Sequence, residues 1–184
     1  YDEKLVTTLN SGQITFKEHG LEELFDKAVK AWIKFTTTYQ ITNTYIISVP
    51  TPYDKFSKKV DPKYVIAAVK DVIRIAPQGG VVIIESTISP GTIDKSIRPV
   101  IAAANREDLQ LVHAPERIIP GNMIYELYHN NITIGADDKV IGEKVRDIYS
   151  SFCKGEFVVT DIRTAEMTKV VENTYRAVNI AFAN

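Results

Sequence analysis

Two short runs of mostly branched, apolar residues restrict this chain more than anything else in it: Thr44-Tyr45-Ile46-Ile47-Ser48-Val49 and Val81-Val82-Ile83-Ile84. Neither alternates cleanly between apolar and polar residues, so both read as strands buried on two faces rather than on one. Between them, Asp61-Pro62 marks a helix start, a capping Asp with Pro at the first helical position. Val65, Val69, Val72 and Ile73 follow at helical spacing as far as about Ala76, and Pro77-Gln78-Gly79-Gly80 ends the segment. A helix of that length joins parallel strands, because an antiparallel neighbour needs only a tight turn.

The pattern repeats downstream. The second run extends to Ser86, Ser89-Pro90-Gly91-Thr92 leads into a helix reaching about Ala104, and Leu109–His113 reads as a strand. Asn131–Gly135 reads as a strand, Asp137–Phe152 as a helix and Glu156–Val159 as a last strand. Upstream, Glu18–Ala31 carries Leu21, Leu24, Phe25 and Ala28 on one helical face, and Ile33–Thr36 reads as a short strand. A long helix from about Asp161 to Asn184 has no Gly, Pro or basic cluster to stop it. Strands separated by helical crossovers predict an α/β fold with a doubly wound, mainly parallel, Rossmann-type sheet over residues 1–160. Residues 161–184 are expected to leave that sheet and open a helical domain.

Composition narrows the function. Lys and Arg number 22 against 23 Asp and Glu, a net charge of -1, so the basic excess of a dedicated nucleic-acid binder is missing. No apolar run reaches the ~20 residues of a membrane helix. One cysteine, Cys153, excludes an internal disulfide framework and a cysteine-based zinc site. His19, His113 and His129 lack metal-ligand spacing, and no metal is expected. The chain reads as a soluble, cytoplasmic protein. It opens at Tyr1 in mid-element without an initiator Met and closes in an unstopped helix, so it is expected to be a piece of a longer protein.

Ligands of an open parallel sheet sit beyond the carboxyl ends of its strands. Three successive strands here end in polar, Pro-punctuated segments: Val49-Pro50-Thr51-Pro52, Glu85-Ser86-Thr87-Ile88-Ser89-Pro90-Gly91-Thr92, and His113-Ala114-Pro115-Glu116-Arg117-Ile118-Ile119-Pro120-Gly121. Each alone makes an ordinary turn; three in succession indicate a site. On the last helix Lys169, Asn173 and Arg176 stand at i, i+4 and i+7, one stripe suited to an anionic, oxygen-rich ligand. The same residues also fit a solvated face, with Glu172 and Arg176 as an i, i+4 pair. Cys153, beside Phe152 at a helix end, reads as a buried or incidental thiol.

Taken in order, Val49-Pro50-Thr51-Pro52, Glu85-Ser86-Thr87, Pro115-Glu116-Arg117-Ile118-Ile119-Pro120-Gly121, Thr164-Ala165-Glu166-Met167 through Lys169, Asn173-Thr174-Tyr175-Arg176 and Asn179-Ile180-Ala181-Phe182-Ala183-Asn184 resemble the UDP-glucose/GDP-mannose (nucleotide-sugar 6-) dehydrogenase family over essentially the whole chain. The Pro-Glu-Arg-Ile-Ile-Pro-Gly form is most similar to the branch acting on UDP-N-acetylmannosamine; UDP-glucose enzymes typically carry a second glutamate at the position of Pro120. The resemblance implies oxidation of a sugar C6 alcohol to a carboxylate in two steps with NAD as cofactor, through a thioester on a cysteine. It implies a UDP-sugar as the bound partner and a homodimer or higher homo-oligomer.

Residue by residue, the resemblance makes Val49, Pro50, Thr51 and Thr87 cofactor contacts, with Thr87 also beside the catalytic water. Glu116 becomes the carboxylate assisting hydrolysis, and Lys169 with Asn173 the pair stabilising oxyanion charge. Arg117, Ile118, Lys169, Asn173 and Arg176 become substrate contacts. The family's Gly-rich turn and ribose-binding acid are expected before Tyr1 and its nucleophilic cysteine after Asn184, so the 184 residues alone are expected to be inactive. Dehydrogenation of UDP-glucose or UDP-N-acetylglucosamine, another β-hydroxyacid-type dehydrogenase and a non-catalytic α/β interaction module are the alternatives. The Pro-Glu-Arg-Ile-Ile-Pro-Gly segment argues against the β-hydroxyacid type.

Overall fold

The computed structural model describes residues 2–56 and 58–184. Its elements are α1 (Glu3–Asn10), α2 (Leu21–Lys30), β1 (Thr44–Ile47), β2 (Tyr53–Asp54), β3 (Lys59–Val60), α3 (Lys63–Ile75), β4 (Val81–Ile84), a π-helical turn (Ile93–Ile97) running into α4 (Arg98–Ala103), β5 (Gln110–His113), α5 (Met123–His129), β6 (Ile132–Ala136), α6 (Lys139–Ser150), β7 (Phe157–Thr160) and α7 (Ile162–Ala183). Five strands form one sheet in the order β1-β4-β5-β6-β7, and β2 and β3 form a separate hairpin.

The central strands β4 and β5 are buried on both faces, as the unbroken run at 81–84 predicts; β1, expected to be buried on two faces, is an edge strand whose Ile46 is exposed, and β7 at the other edge exposes Val158. Val82, Ile84 and Leu111 face α3 and α4, in a core with Val65, Val69, Val72, Ile93, Ile97 and Ile101. Ile83 and Val112 face the other way, in a core with Ile134, Val145 and Tyr149 around α6. Each large aliphatic side chain removed from water in this way stabilises the fold by about 1.5–3 kcal/mol.

β1, β4 and β5 are parallel, with Ile47 opposite Ile84 and Ile84 opposite His113. β6 then pairs antiparallel to β5, and β7 parallel to β6. The reason lies in the connection from β5 to β6, whose only helix, α5, has 7 residues and is too short to cross the sheet. The chain therefore returns from the edge it reached, and the sheet is mostly parallel rather than wholly so. This reversal decides where α7 goes. Because β7 ends at the far edge, α7 starts there and runs back toward the carboxyl ends of β4 and β5.

Gly135 lets α7 lie against β6. A Cβ at that position would stand 2.6 Å from the Ala165 Cβ and 2.7 Å from the Ile162 Cα. Only glycine fits so close an approach.

Ile33–Thr36 is not a strand. No strand among the described residues pairs with it, and its polar backbone is satisfied locally: the Phe35 carbonyl accepts from Asn10 Nδ2 at 2.9 Å, while the Phe35 ring stacks on Phe25. Two helices lacked clear sequence signals. α1 is capped by Asp2, whose Oδ1 accepts from the Leu5 N–H at 2.9 Å, and α5 is short. Tyr1, at which the sequence opens in mid-element, lies outside the described residues. The helix expected from Thr92 begins as a π-helical turn, in which the Arg98 N–H bonds to the Ile93 carbonyl. Pro99 has no N–H to offer the Lys95 carbonyl, so the regular ladder cannot start until that point is passed.

Candidate active site

β1 and β4 are sewn together just beyond their ends. The buried Ser86 Oγ accepts the Val49 N–H at 2.8 Å and donates to the Val49 carbonyl at 2.8 Å. This bends Val49-Pro50-Thr51 off the strand and fixes it beside Thr87. Among the described residues, neither the Thr51 nor the Thr87 hydroxyl is engaged by the protein, and both are partly exposed.

Glu166 attaches α7 to the segment after Thr87. Its side chain is fully buried, with Oε2 accepting from the Gly91 N–H at 2.6 Å and Oε1 from the Ile93 N–H at 2.9 Å. Gly91 adopts φ 82°, a left-handed turn that favours glycine and helps direct these amides at one carboxylate. Asp94 adds a surface clamp, bonded to Arg163 at 2.6 Å and to Arg98 at 2.8 Å. These contacts set the register of α7 one turn before Lys169.

Beyond Glu166, α7 faces the strand ends. Asn173 and Thr174 line an open groove with Thr87, Ile88 and Ser89. Glu172 does not pair with Arg176; it reaches across to Arg117 Nε at 3.1 Å. The stripe is solvated, as the solvated-face reading has it, with Asn173 and Arg176 exposed, but the Glu172–Arg176 pair is not formed. Arg176 is exposed one turn further on.

The loop after β5 is held by hydrogen bonds at five of its residues. The Ala114 N–H donates to the Ile84 carbonyl at 3.0 Å, and the Ile119 N–H donates to Glu126 Oε2 at 2.6 Å. Glu18, from the far end of the sequence, accepts from the Gly121 N–H at 3.0 Å and the Met123 N–H at 3.2 Å. Arg117 Nη2 reaches Thr133 Oγ1 at 3.3 Å, and its carbonyl accepts from Asn130 Nδ2 at 3.0 Å. The loop is thus built rather than loose, and it presents Glu116, Arg117 and Ile118 to a cavity of about 40 Å³ shared with Glu85, Glu126 and Tyr149.

The electrostatics of this cavity concern its carboxylates. Partial burial pushes Glu116 above the usual carboxylate range; Lys169 pulls it back, and Glu85 and Glu126 push it further up. Burial also raises Glu85, opposed by the hydroxyl of Tyr149, which donates to Glu85 Oε1 at 2.5 Å. The same buried pair holds the Tyr149 phenol well above its ordinary value. A carboxylate kept proton-avid beside a lysine is a suitable general base.

Of the residues singled out from sequence, Thr87 and Asn173 share the groove, and Glu116, Arg117 and Ile118 share the cavity. The charge of Lys169 acts on Glu116, linking the two. Val49, Pro50 and Thr51 stand at the neighbouring strand end, and Arg176 stands apart. Glu85, Tyr149 and Glu166 escaped residue-level reading. Glu85 and Tyr149 are 64 positions apart, and Glu166 was legible only as part of a motif. Cys153 is buried, its Sγ donating to the Asn130 carbonyl at 3.2 Å, and does not itself line the cavity.

Known proteins share both sequence and architecture with this chain. The family profile described as "UDP-glucose/GDP-mannose dehydrogenase family, NAD binding domain" matches residues 1–153. A UDP-N-acetyl-D-mannosamine dehydrogenase of Methanococcus aeolicus is 39% identical over 186 aligned positions, covering 100% of this chain and 42% of that protein. The native structure of the UDP-N-acetyl-mannosamine dehydrogenase Cap5O from Staphylococcus aureus superposes with a TM-score of 0.89 at 40% identity, over 99% of this chain and 45% of that one. A UDP-D-ManNAc dehydrogenase structure from Pyrococcus horikoshii gives 0.88 at 34% identity, over 98% and 44% respectively. The chain spans less than half the length of the curated relatives it matches. Among the described residues no helix is long and apolar enough to cross a membrane.

Proposed function

Because this chain belongs to the UDP-glucose/GDP-mannose dehydrogenase family, we propose that it forms part of an NAD-dependent nucleotide-sugar 6-dehydrogenase that oxidises the C6 alcohol of UDP-N-acetylmannosamine to the uronate. The observation that carries this reading is the approach of α7 to the carboxyl ends of β4 and β5, which puts Asn173 and Thr87 on one open groove and brings the charge of Lys169 within electrostatic range of Glu116. Similarity to proteins named as UDP-N-acetylmannosamine dehydrogenases supports the choice of sugar. Residues 1–160 then belong to the cofactor domain, and 161–184 open a helical domain of a cytoplasmic homodimer or higher homo-oligomer.

In this reading Lys169 and Asn173 hold the oxygen that gains charge as C6 is oxidised and as water adds; fixed donors aimed at developing charge are a major source of rate enhancement. Glu116 takes the proton of the attacking water, a role its raised proton affinity suits. Arg117 spends Nε on Glu172 and one Nη2 proton on Thr133, which leaves Nη1 for the sugar nucleotide. Ile118 provides an apolar contact beside it, and Arg176, further along α7, suits a phosphate. NAD, when bound, accepts the hydride. The donor set at the strand ends fits one side of it: free hydroxyls on Thr51 and Thr87, and the stiff Val49-Pro50 backbone held by Ser86.

The test is turnover by the full-length protein. NADH formation is followed with UDP-N-acetylmannosamine, UDP-N-acetylglucosamine and UDP-glucose in parallel. Selective turnover of the first is expected. Selective turnover of another sugar corrects the substrate, and no turnover of any UDP-sugar points to a non-catalytic module.

A further inference from the structure

Glu85 and Tyr149 form a pair with no place in the roles just assigned. Glu85 is the first residue after β4, and its backbone N–H is fixed to the Ile47 carbonyl at 3.0 Å. Tyr149 comes from the last turn of α6. Its ring is 7% exposed and wedged in the core with Ile83, Val112 and Ile134, edge-on to Phe152 at 6.0 Å. Both partners therefore stand on rigid elements, and neither side chain is free to choose its direction.

A buried phenol needs an acceptor, and a nearby carbonyl would meet that need without placing an ionisable carboxyl in a half-buried position. Here the acceptor is a carboxylate, and it lines the same small cavity as Glu116. We propose that Tyr149 and Glu85 are a positioning pair, in which the tyrosine hydroxyl locks a carboxylate against the cavity so that its charge acts on Glu116. The proposal deepens the reading of Glu116 as the base and rests on it.

The groups facing this carboxylate pair come from every surrounding element. Glu116 and Arg117 come from the loop after β5, Glu126 from α5, Tyr149 from α6 and Lys169 from α7. His113, in the adjacent strand, has its pKa lowered by burial to about 4 and carries no charge at neutral pH. Arg117 is occupied by Glu172, and Glu126 by the Ile119 N–H. Lys169 favours the ionised form of Glu116, while Glu85 and Glu126 oppose it. The Tyr149 hydrogen bond favours ionised Glu85, and ionised Glu85 raises the proton affinity of Glu116. The sign follows. Removing the hydroxyl, or the Glu85 charge, lowers the proton affinity of Glu116 and moves the acid limb of the rate profile to lower pH.

The experiment is the pH dependence of kcat/KM for UDP-N-acetylmannosamine oxidation in full-length Tyr149→Phe, Glu85→Gln and Glu116→Gln. Tyr149→Phe keeps the ring and its packing, so a purely structural role leaves the limb where it is. Both Tyr149→Phe and Glu85→Gln are expected to shift the acid limb downward by ~0.5 pH unit or more, a threefold or larger change in proton affinity. If Glu116→Gln abolishes the limb while the other two leave it unmoved, or move it upward, the positioning pair is overturned and the base assignment stands. If Glu116→Gln keeps both its turnover and its acid limb, the base assignment fails and the pair falls with it.

Discussion

Replacing Glu166 by alanine removes both acceptors that hold the amides of Gly91 and Ile93, and with them the anchor of α7. Hydrogen bonds to a charged group are worth about 1.5–3 kcal/mol each, so two amount to roughly 3–6 kcal/mol. Part of this is offset, because the variant no longer buries a carboxylate. The two amides also differ: Ile93 is fully buried and its N–H is stranded, whereas Gly91 is partly exposed and finds water. The net expectation is a loss of about 2–4 kcal/mol for Glu166→Ala and about 1–2 kcal/mol for Glu166→Gln, whose amide oxygen still serves one donor. Urea unfolding followed by circular dichroism gives both values. Hydrogen exchange adds a local readout, since the Ile93 amide should lose protection before the strands do. A loss below about 0.5 kcal/mol for the alanine variant, the range of an uninvolved surface position, would refute the claim that this carboxylate anchors α7.

His113 makes stability pH-dependent in a definite direction. Its pKa is lowered from 6.5 to about 4 in the folded protein, so between those values the unfolded chain binds more protons and acidification destabilises the fold. The expected contribution is about 3 kcal/mol lost from pH 7 to pH 4, measured as a change in urea midpoint that His113→Gln reduces. Cys153→Ser in the full-length protein should leave UDP-sugar oxidation within about threefold, a barrier change under ~1 kcal/mol. The buried thiol donates to a backbone carbonyl, which a serine hydroxyl also does; a loss of several orders of magnitude with the fold intact moves the nucleophile into this chain.

The strand at 81–84 was legible because burial on both faces leaves no polar residue to blur the run, and the one at 44–47 because its residues are mostly branched or aromatic, although its Ile46 side is exposed. The failure at Ile33–Thr36 has the opposite cause: a β-compatible composition makes a strand only where a neighbour supplies backbone partners, and Asn10 supplies them instead. The reversal of β6 was hidden because the sequence from 114 to 131 carries a loop motif and a weak 7-residue helix, with nothing in the local pattern to set strand direction. Candidate residues carried by motifs, such as Glu116, Lys169 and Asn173, can be nominated from the sequence. Those defined by a partner, such as Tyr149 for Glu85 or Gly91 for Glu166, become visible only when the fold brings the partners together.

The central claim is that α7 carries donors that act on charge formed in the reaction. Steady-state kinetics of full-length Lys169→Ala test it most directly, with folding checked by circular dichroism and Arg176→Ala as the contrast. A donor to a developing oxyanion matters more to the transition state than to ground-state binding, so Lys169→Ala should lower kcat by ~100-fold or more with a smaller change in KM. Arg176→Ala should chiefly raise KM. Near-wild-type kcat in a folded Lys169→Ala protein would contradict the account.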